Sequence, residues 1–519
     1  MPSFAVCRVV VLLALMVLAV ACTKKEVSSP GSQAPKPPEV TAEDARIVPP
    51  EDEVAAQTKE AKPGTLVLPL RFEKRTGDID EMVKQRKIRA LITINPISFF
   101  YLQGKPSGLT FEAMQELERF VNRKYKAGAL KVKVMFIPMR PDQLEAALTQ
   151  GVGDVIAQGV IITPAREQRV AFTIPIQRNV TQIVVTTKEM PVGSRFDDLG
   201  DKAIYANPVT AAYDNLKRIS EERQKAGKSP LIIKAADKAL MGDDLIEMVN
   251  AGLIPATVAL KSRSELWAKV LPNIETHPDM VVASGVDTGW VVRKNNPELK
   301  KLLDEFVVAN REGTAFGNTL LRRYLQNTKW VKNSIDKEEI KKFEAYVNLF
   351  KKYSDQHNFD YLMIAAQGYQ ESLLDQSRRS PAGAVGIMQV IPKYAAAPPI
   401  NVKDVSTADK NIEAGMKMLR NITDTYFNDP AIDPVNKTLF TFASYNAGPN
   451  RIVRLRKKAA ENGLDPNKWF GNVEIEVAKD IGQETVTYVD NIYKYYIAYR
   501  MTSQEKMEKE KAKATIAAK

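Results

Sequence analysis

The chain has 519 residues, of which 44% are hydrophobic and 26% charged, enough to bury the cores of several domains and too apolar for a disordered polymer. Its 74 Lys and Arg against 62 Asp and Glu give a formal charge of +12, a surface suited to anionic polymers or lipid headgroups. Only two histidines, His277 and His357, and two cysteines, Cys7 and Cys22, are present. That count excludes a histidine-rich zinc centre and leaves carboxylates as the expected chemistry, with no metal and no cofactor.

The opening segment, MPSFAVCRVVVLLALMVLAVAC, carries a basic residue at Arg8 and then an apolar run from Val9 to Ala21. Thirteen apolar residues are too few to span a bilayer core, which takes about 20, and they suit a signal peptide over residues 1–21. The run ends AVAC, which resembles a bacterial lipobox, with Ala19 where Leu is usual. The resemblance implies lipid modification of Cys22, a membrane attachment through that lipid, and placement at the periplasmic face of the outer membrane. Export also argues against nucleic acid as a partner. Residues 22–70 then read as a lipid-anchored, Pro-rich linker: residues 23–70 hold eight prolines and cannot form a core.

From about residue 75 strands and helices alternate. IRALITI (88–94) reads as a buried strand and FEAMQELERFVNRKYK (111–126) as an amphipathic helix. KVKVMF (131–136) alternates with period two and predicts a half-buried strand; DQLEAALTQG predicts a short helix stopped by Gly151, and DVIAQGVII and QIVVTT predict further strands. This is an α/β pattern. Beyond about 337 strands vanish, and EEIKKFEAYVNLFKKYS, FDYLMIAAQGYQESLL, NIEAGMKMLRNITDTYF, LFTFASYN and TVTYVDNIYKYYIAYR predict helices. The expected organisation is an α/β domain over 71–332, an all-α domain over 333–500 and a charged, frayed tail over 501–519.

GDVIAQGVIITPAREQRVAFTIPI (153–176) resembles periplasmic solute-binding proteins for amino acids, and GWVVRKNNPELKKLLDEFVV (289–308) resembles their closing strand and helix. The resemblance implies two α/β lobes with crossovers near 187 and 291 and a cleft between them. An arginine fork holds a carboxylate through two parallel charge-assisted hydrogen bonds. The resemblance assigns that role to Arg166, with Thr163 and the backbone near Gly159 beside it. The stretch AGLIPATVALK departs from the family, placing Pro255 and Leu260 where acidic partners of an amino group are common. The motif therefore gives no support to a free amino acid, and a peptide fragment such as a muropeptide, another carboxylate ligand, or no ligand at all stands open.

Four signatures follow in order in the all-α region: Glu371-Ser372 at the end of an apolar helix, SPAGAVGIMQVIP (380–392), ASYNAGP (443–449) and ETVTYV (484–489). Together they resemble lytic transglycosylases with a lysozyme-like domain, and the pairing with the α/β domain resembles the membrane-bound lytic murein transglycosylases of the F type. The fold expected is thus a two-lobed periplasmic-binding-protein-like domain followed by an all-α lysozyme-like domain. The substrate expected is the glycan strand of peptidoglycan, cut at the MurNAc–GlcNAc β-1,4 bond with 1,6-anhydromuramyl ends. Burial in the apolar helix should hold Glu371 protonated near neutral pH as the acid. The resemblance assigns Ser372, Met388, Gln389, Tyr445, Asn446, Glu484 and Tyr488 to the substrate cleft, and the small residues Ala382, Gly383, Ala384 and Gly386 to a loop close to the sugar. Two alternatives stand beside this reading. One is a solute-binding lipoprotein with a non-catalytic lysozyme-like domain. The other is a hydrolytic muramidase using Asp375 as second carboxylate, although Asp375 suits a helix-end cap better. The basic run RIVRLRKK (451–458) suits a solvated face.

Overall fold

The computed structural model describes residues 74–102, 105–128, 130–190, 193–328 and 337–517. The signal segment 1–21, the lipidation site Cys22 and the linker up to residue 70 lie outside the described residues.

The first domain is built on one mixed sheet. Its strands are β1 (Lys87–Ile92), β4 (Lys133–Pro138), β5 (Val155–Ile161), β6 (Ala171–Phe172), β7 (Gln177–Thr187), β8 (Ile204–Ala206), β9 (Ile233–Ala235), β10 (Ala256–Leu260) and β11 (Ile274–Val292); a separate hairpin joins β2 (Phe100–Leu102) and β3 (Lys105–Ser107). The order is β4-β1-β5-β11-β7-β10-β8-β9, with β6 paired to β11. β1 pairs with both β4 and β5 in parallel, as short α/β crossovers require. The chain leaves the first half of the sheet along β7 and returns along β11, whose last residues pair with β5 and β6 and whose earlier ones pair with β7. These two long strands are the crossovers expected near 187 and 291.

Helix α1 (Leu109–Lys124) turns Phe111, Met114, Leu117 and Val121 inward, the face read from the 3.6-residue period. The KVKVMF strand departs from expectation. β4 is buried along both faces from Val134 to Pro138, and Met135 belongs to the core of the helical domain rather than to that of the sheet. A period-two pattern reports one covered face; here a second domain covers the other.

That second domain comprises α3 (Lys337–His357), α4 (Tyr361–Ser372), α5 (Ala408–Tyr426), α6 (Pro434–Ala447), α7 (Pro449–Glu461), α8 (Glu474–Ile481) and α9 (Gln483–Ala517), preceded in the first domain by α2 (Gly242–Asn250). The basic run lies on α7, where Arg454 pairs with Asp480 at 2.7 Å, so part of its charge is neutralised within the domain. The tail from 501, expected to fray, continues α9 as helix to Ala517. Its Lys, Glu and Ala are strong helix formers, and Ala512 is buried in the core of the sheet domain.

Helix α9 also joins the two domains. Near its middle, Lys494 is buried 3.2 Å from Glu118 of α1 and lies over the Phe136 ring of β4. Towards its end, Lys509 donates to the Ile94 carbonyl at 2.6 Å and pairs with Asp244 of α2 at 3.1 Å, while Lys513 lies 3.3 Å from Glu247. Ile94 follows β1 in the first half of the sheet and α2 packs on β10 in the second, so one helix end touches both halves. Arg86 and Glu474 form a further ion pair between the domains.

Candidate active site

Helix α4 begins at Asp360, whose carboxylate accepts from Leu362 N–H at 2.9 Å as an N-cap. Met363 to Tyr369 are all buried, so the helix runs through the core and delivers Glu371 at its last turn. Two consecutive residues then adopt left-handed backbone, Leu373 at φ 61° and Leu374 at φ 60°. Neither is glycine, and Gln389 across the loop is also left-handed at φ 47°. Such conformations each cost on the order of 1 kcal/mol or more and persist only where surrounding packing enforces them. Leu374 and its neighbours Ile387 and Val390 are buried, which supplies that packing.

Ser372 anchors this corner. Its hydroxyl donates within a short network to the Ile387 and Gly368 carbonyls, at 2.9 and 3.2 Å, and accepts from Asp375 N–H at 3.1 Å. It ties the helix end to the SPAGAVGIMQ loop and is buried, so its hydroxyl does not line the cleft. Met388 is likewise wholly buried in the helical core, against the substrate contact expected of its side chain. What it offers is backbone: its N–H donates to Asn411 Oδ1 at 2.7 Å and its carbonyl accepts from the Tyr445 hydroxyl at 2.8 Å. Gln389, partly exposed, turns its amide onto the Gly386 carbonyl at 2.8 Å.

Asn411 was missed by sequence reading. It is wholly buried on α5 and also donates to the Val385 carbonyl at 2.8 Å, so a single amide holds the loop from two sides. Its signal was an asparagine on the apolar face of an amphipathic helix. Gly386 is required beside it: its φ is 76°, and a Cβ there would lie 2.4 Å from the Asn411 side chain. The glycine thus admits a neighbouring protein side chain, where a close approach to sugar was expected. Gly383, at φ 83° with open space around it, serves a turn in which its N–H reaches the Ser380 carbonyl.

The Glu371 carboxyl sits at the junction of three elements. The Tyr488 hydroxyl of α9 donates to its Oε1 at 2.5 Å. Burial pushes its pKa up to about 7, against the opposing pull of the Tyr488 hydrogen bond and the Arg378 charge. Tyr488 and Tyr445 are themselves pushed well above the usual tyrosine range, first by burial and then by Glu371, so both are neutral donors at any physiological pH. Gln367, one helical turn before Glu371 on α4, is wholly buried and donates to the Tyr488 hydroxyl at 3.1 Å. It was not singled out from sequence, although spacing of four puts it on the same helix face as Glu371.

The other residues expected in the cleft are less tightly held. Asn446 is exposed and accepts from Thr485 at 2.7 Å, linking α6 to the start of α9. Glu484 is exposed with no ion-pair partner among the described residues. Asp375 accepts from the Ser377 N–H and hydroxyl at 2.8 and 2.7 Å, an Asx turn in the loop after α4 rather than the helix-end cap expected of it.

In the sheet domain, Thr163 caps the short helix Pro164–Glu167 and Gly159 lies on β5. The Arg166 guanidinium donates to the Ile161 carbonyl at 3.0 Å and to the Val209 carbonyl at 3.1 Å. Burial lowers its pKa, and its donors face backbone carbonyls rather than a carboxylate.

Comparison with known proteins agrees with this division. Residues 88–326 match the bacterial extracellular solute-binding proteins of family 3, and residues 348–468 match the transglycosylase SLT domain. The second match ends before α9, which nevertheless supplies Tyr488 to Glu371. A membrane-bound lytic murein transglycosylase F of Desulfosudis oleivorans is 27% identical over 440 residues, covering 79% of this chain and 89% of its own. Those of Shewanella halifaxensis and Yersinia pestis are 25% and 24% identical, covering 77% and 85% of this chain and 83% and 90% of theirs. Among solved structures, a mutant of ArgBP from T. maritima aligns with 48% of this chain and 99% of its own, at 20% identity and a TM-score of 0.38. With a family 3 solute-binding domain followed by an SLT domain, and with similarity along most of its length to membrane-bound lytic murein transglycosylases F, this protein is a peptidoglycan lytic transglycosylase with a solute-binding-like domain.

Proposed function

We propose that this enzyme is a peptidoglycan lytic transglycosylase in which Glu371 alone carries the proton. The observation that supports this most directly is the position of that carboxyl: at the end of a buried helix, hydrogen-bonded by a neutral tyrosine, with its pKa raised to about 7. The protonated carboxyl gives its proton to the glycosidic oxygen between MurNAc and GlcNAc. The C1–O bond breaks and its electron pair goes to the leaving sugar oxygen. The resulting carboxylate takes the proton from the C6 hydroxyl of the same muramyl unit as that oxygen closes onto C1. Atoms balance without water, and Glu371 ends protonated. An internal nucleophile has a high effective concentration, which is why one carboxylate suffices where ordinary glycosidases use two. The Asp375 carboxylate, engaged by Ser377, offers no support to the muramidase alternative.

Product mass tests the reading. Purified sacculi digested by the enzyme should release muropeptides 18 Da lighter than the hydrolysed species, since water is not added; hydrated ends would overturn it. The pH profile is a separate check. The acid must be protonated, and a raised pKa keeps it so up to about pH 7. The free-enzyme rate, read as kcat/KM, should therefore fall about tenfold per unit above that midpoint.

For the sheet domain we propose a carboxylate-bearing wall fragment as ligand, with Arg166 exchanging its two backbone carbonyls for the carboxylate. Calorimetry of the full chain with muropeptides checks this; heat of binding that survives in Arg166→Ala would place the ligand elsewhere. We further propose attachment to the membrane through lipid on Cys22 at the periplasmic face of the outer membrane. No helix among the described residues is long and apolar enough to cross a membrane. Mass spectrometry of the amino-terminal peptide from membrane fractions would detect the lipid.

A further inference from the structure

We propose that Gln367 is a positioning residue for the proton donor: its amide N–H, given to the Tyr488 hydroxyl, obliges that hydroxyl to donate to Glu371 Oε1 and leaves Oε2 to carry the proton that moves.

The geometry is a three-residue chain. Gln367 Nε2 lies 3.1 Å from the Tyr488 oxygen, and that oxygen lies 2.5 Å from Glu371 Oε1. A tyrosine hydroxyl has one hydrogen to give. With Gln367 donating into its lone pair, the hydroxyl hydrogen is directed at Glu371. Without that donor the hydroxyl is free to rotate and accept from the protonated carboxyl. The acid's proton would then point at Tyr488 and away from the sugar. The direction also serves the second half-reaction, because a donated hydrogen bond favours the carboxylate that must act as base.

A second observation sets Gln367 apart from a residue that merely fills space. It is wholly buried, yet its Oε1 has no hydrogen-bond partner among the described residues. A buried carbonyl left unpaired is unfavourable, and a methionine or leucine of similar volume would avoid it. Its neighbours Met363, Ile364 and Ala366 are apolar, so nothing in the local packing calls for an amide. The amide earns its place only through Tyr488. Among the described residues, the titratable and charged groups acting on the Glu371 carboxyl are Tyr488 from α9, Tyr445 from α6 and Arg378 from the turn after α4. Only the first touches Gln367.

This inference rests on Glu371 being the proton donor, and the experiment separates the two. The rate of full-length enzyme on sacculi is measured across pH for wild type, Gln367→Met, Tyr488→Phe and the double variant. Gln367→Met removes the donor at nearly constant volume. It should lower the plateau rate about five- to tenfold, the value of one oriented hydrogen bond, and move the alkaline limb upward by about half a pH unit, since the carboxylate loses support. In the Tyr488→Phe background the same substitution should change neither. A wild-type profile for Gln367→Met overturns the proposal, as does an equal shift with and without the tyrosine hydroxyl, which would mean that packing alone is responsible. Should Gln367→Met fail to fold, the wild-type amide reports instead. The Gln367 side-chain 15N resonance should titrate with the Glu371 midpoint in wild type and cease to do so in Tyr488→Phe; an unmoving wild-type resonance counts against the chain. If wild type forms no anhydromuramyl ends, the proposed reaction itself is lost; if it does and Gln367→Met behaves as wild type, only this positioning role is.

Discussion

Glu371→Gln should lose at least about a thousandfold in rate on sacculi while gaining stability at alkaline pH. The rate loss follows from the proposed reaction, in which Glu371 carries the transferred proton: a positioned acid or base contributes about 10²–10⁴-fold, and in that reaction one group serves both steps in turn. Glutamine preserves shape and still accepts from the Tyr488 hydroxyl, so binding of the glycan should change little and the loss should fall on kcat. The stability gain follows from linkage. The folded carboxyl titrates near 7, against 4.5 for the unfolded group. The folded state therefore binds the proton more tightly, and stability falls as pH rises between those values. Below about pH 4 both states are protonated and the penalty is absent. Above about pH 8 it is fully present, at about 1–3 kcal/mol once partial exposure is allowed for. Glutamine cannot ionise, so denaturation curves of the two proteins should coincide near pH 4 and separate at pH 8 with the variant more stable. Equal rates, or equal curves at pH 8, would each contradict the role assigned to this carboxyl.

The second large effect concerns the joint between the domains. Glu118 accepts from Val134 N–H at 2.9 Å, from Lys494 at 3.2 Å and from Lys133 at 3.3 Å. These contacts hold its carboxyl below the usual range despite burial. Lys494 is enclosed between Glu118 and the Phe136 ring, and burial lowers its pKa even though Glu118 opposes the shift. Removing one member of a buried pair strands the other charge, at about 3–5 kcal/mol, whereas replacing both members together by apolar side chains of similar volume is often neutral or better. Glu118→Ala should therefore weaken docking by about that amount. Calorimetry should show two resolved unfolding transitions in place of a coupled one. The double variant Glu118→Leu with Lys494→Met, which removes both charges, should leave the coupled transition within about 1 kcal/mol of wild type. The opposite ranking would mean that the pair itself, rather than the avoided stranded charge, holds the joint. The same helix, α9, carries Tyr488 at one end and Lys509 at the other. Loss of docking should therefore be read on rate as well as on stability.

Much of this protein was legible in its residues. Periodicity gave several strands and the long amphipathic helix of the first domain and most of the long helices of the second, because burial of one face is a local property that repeats with the element. The order of four short signatures placed Glu371 at the end of an apolar helix, and the chemistry of a carboxyl in that position follows from burial alone. What the sequence left undetermined were properties of pairs distant along the chain. Met388 reads equally well as a substrate contact or as core, and only packing against α5 decided for core. Ser372 reads as a hydroxyl at the cleft, and only the fold of the following loop brought the Ile387 carbonyl to it. β4 alternates as though one face were wet, and the tail after 501 reads as a charged, frayed run; β4 is covered on both faces, and Lys509 and Ala512 of the tail are buried, because α9 crosses from one domain to the other. Gln367 and Tyr488 lie 121 residues apart, and no local pattern announces a hydrogen bond between them. Residue types determine which groups can be acids, donors or core, since those are properties of side chains; which acid meets which donor is decided by the three-dimensional path of the backbone, since hydrogen bonds and burial depend on distance in space rather than along the chain.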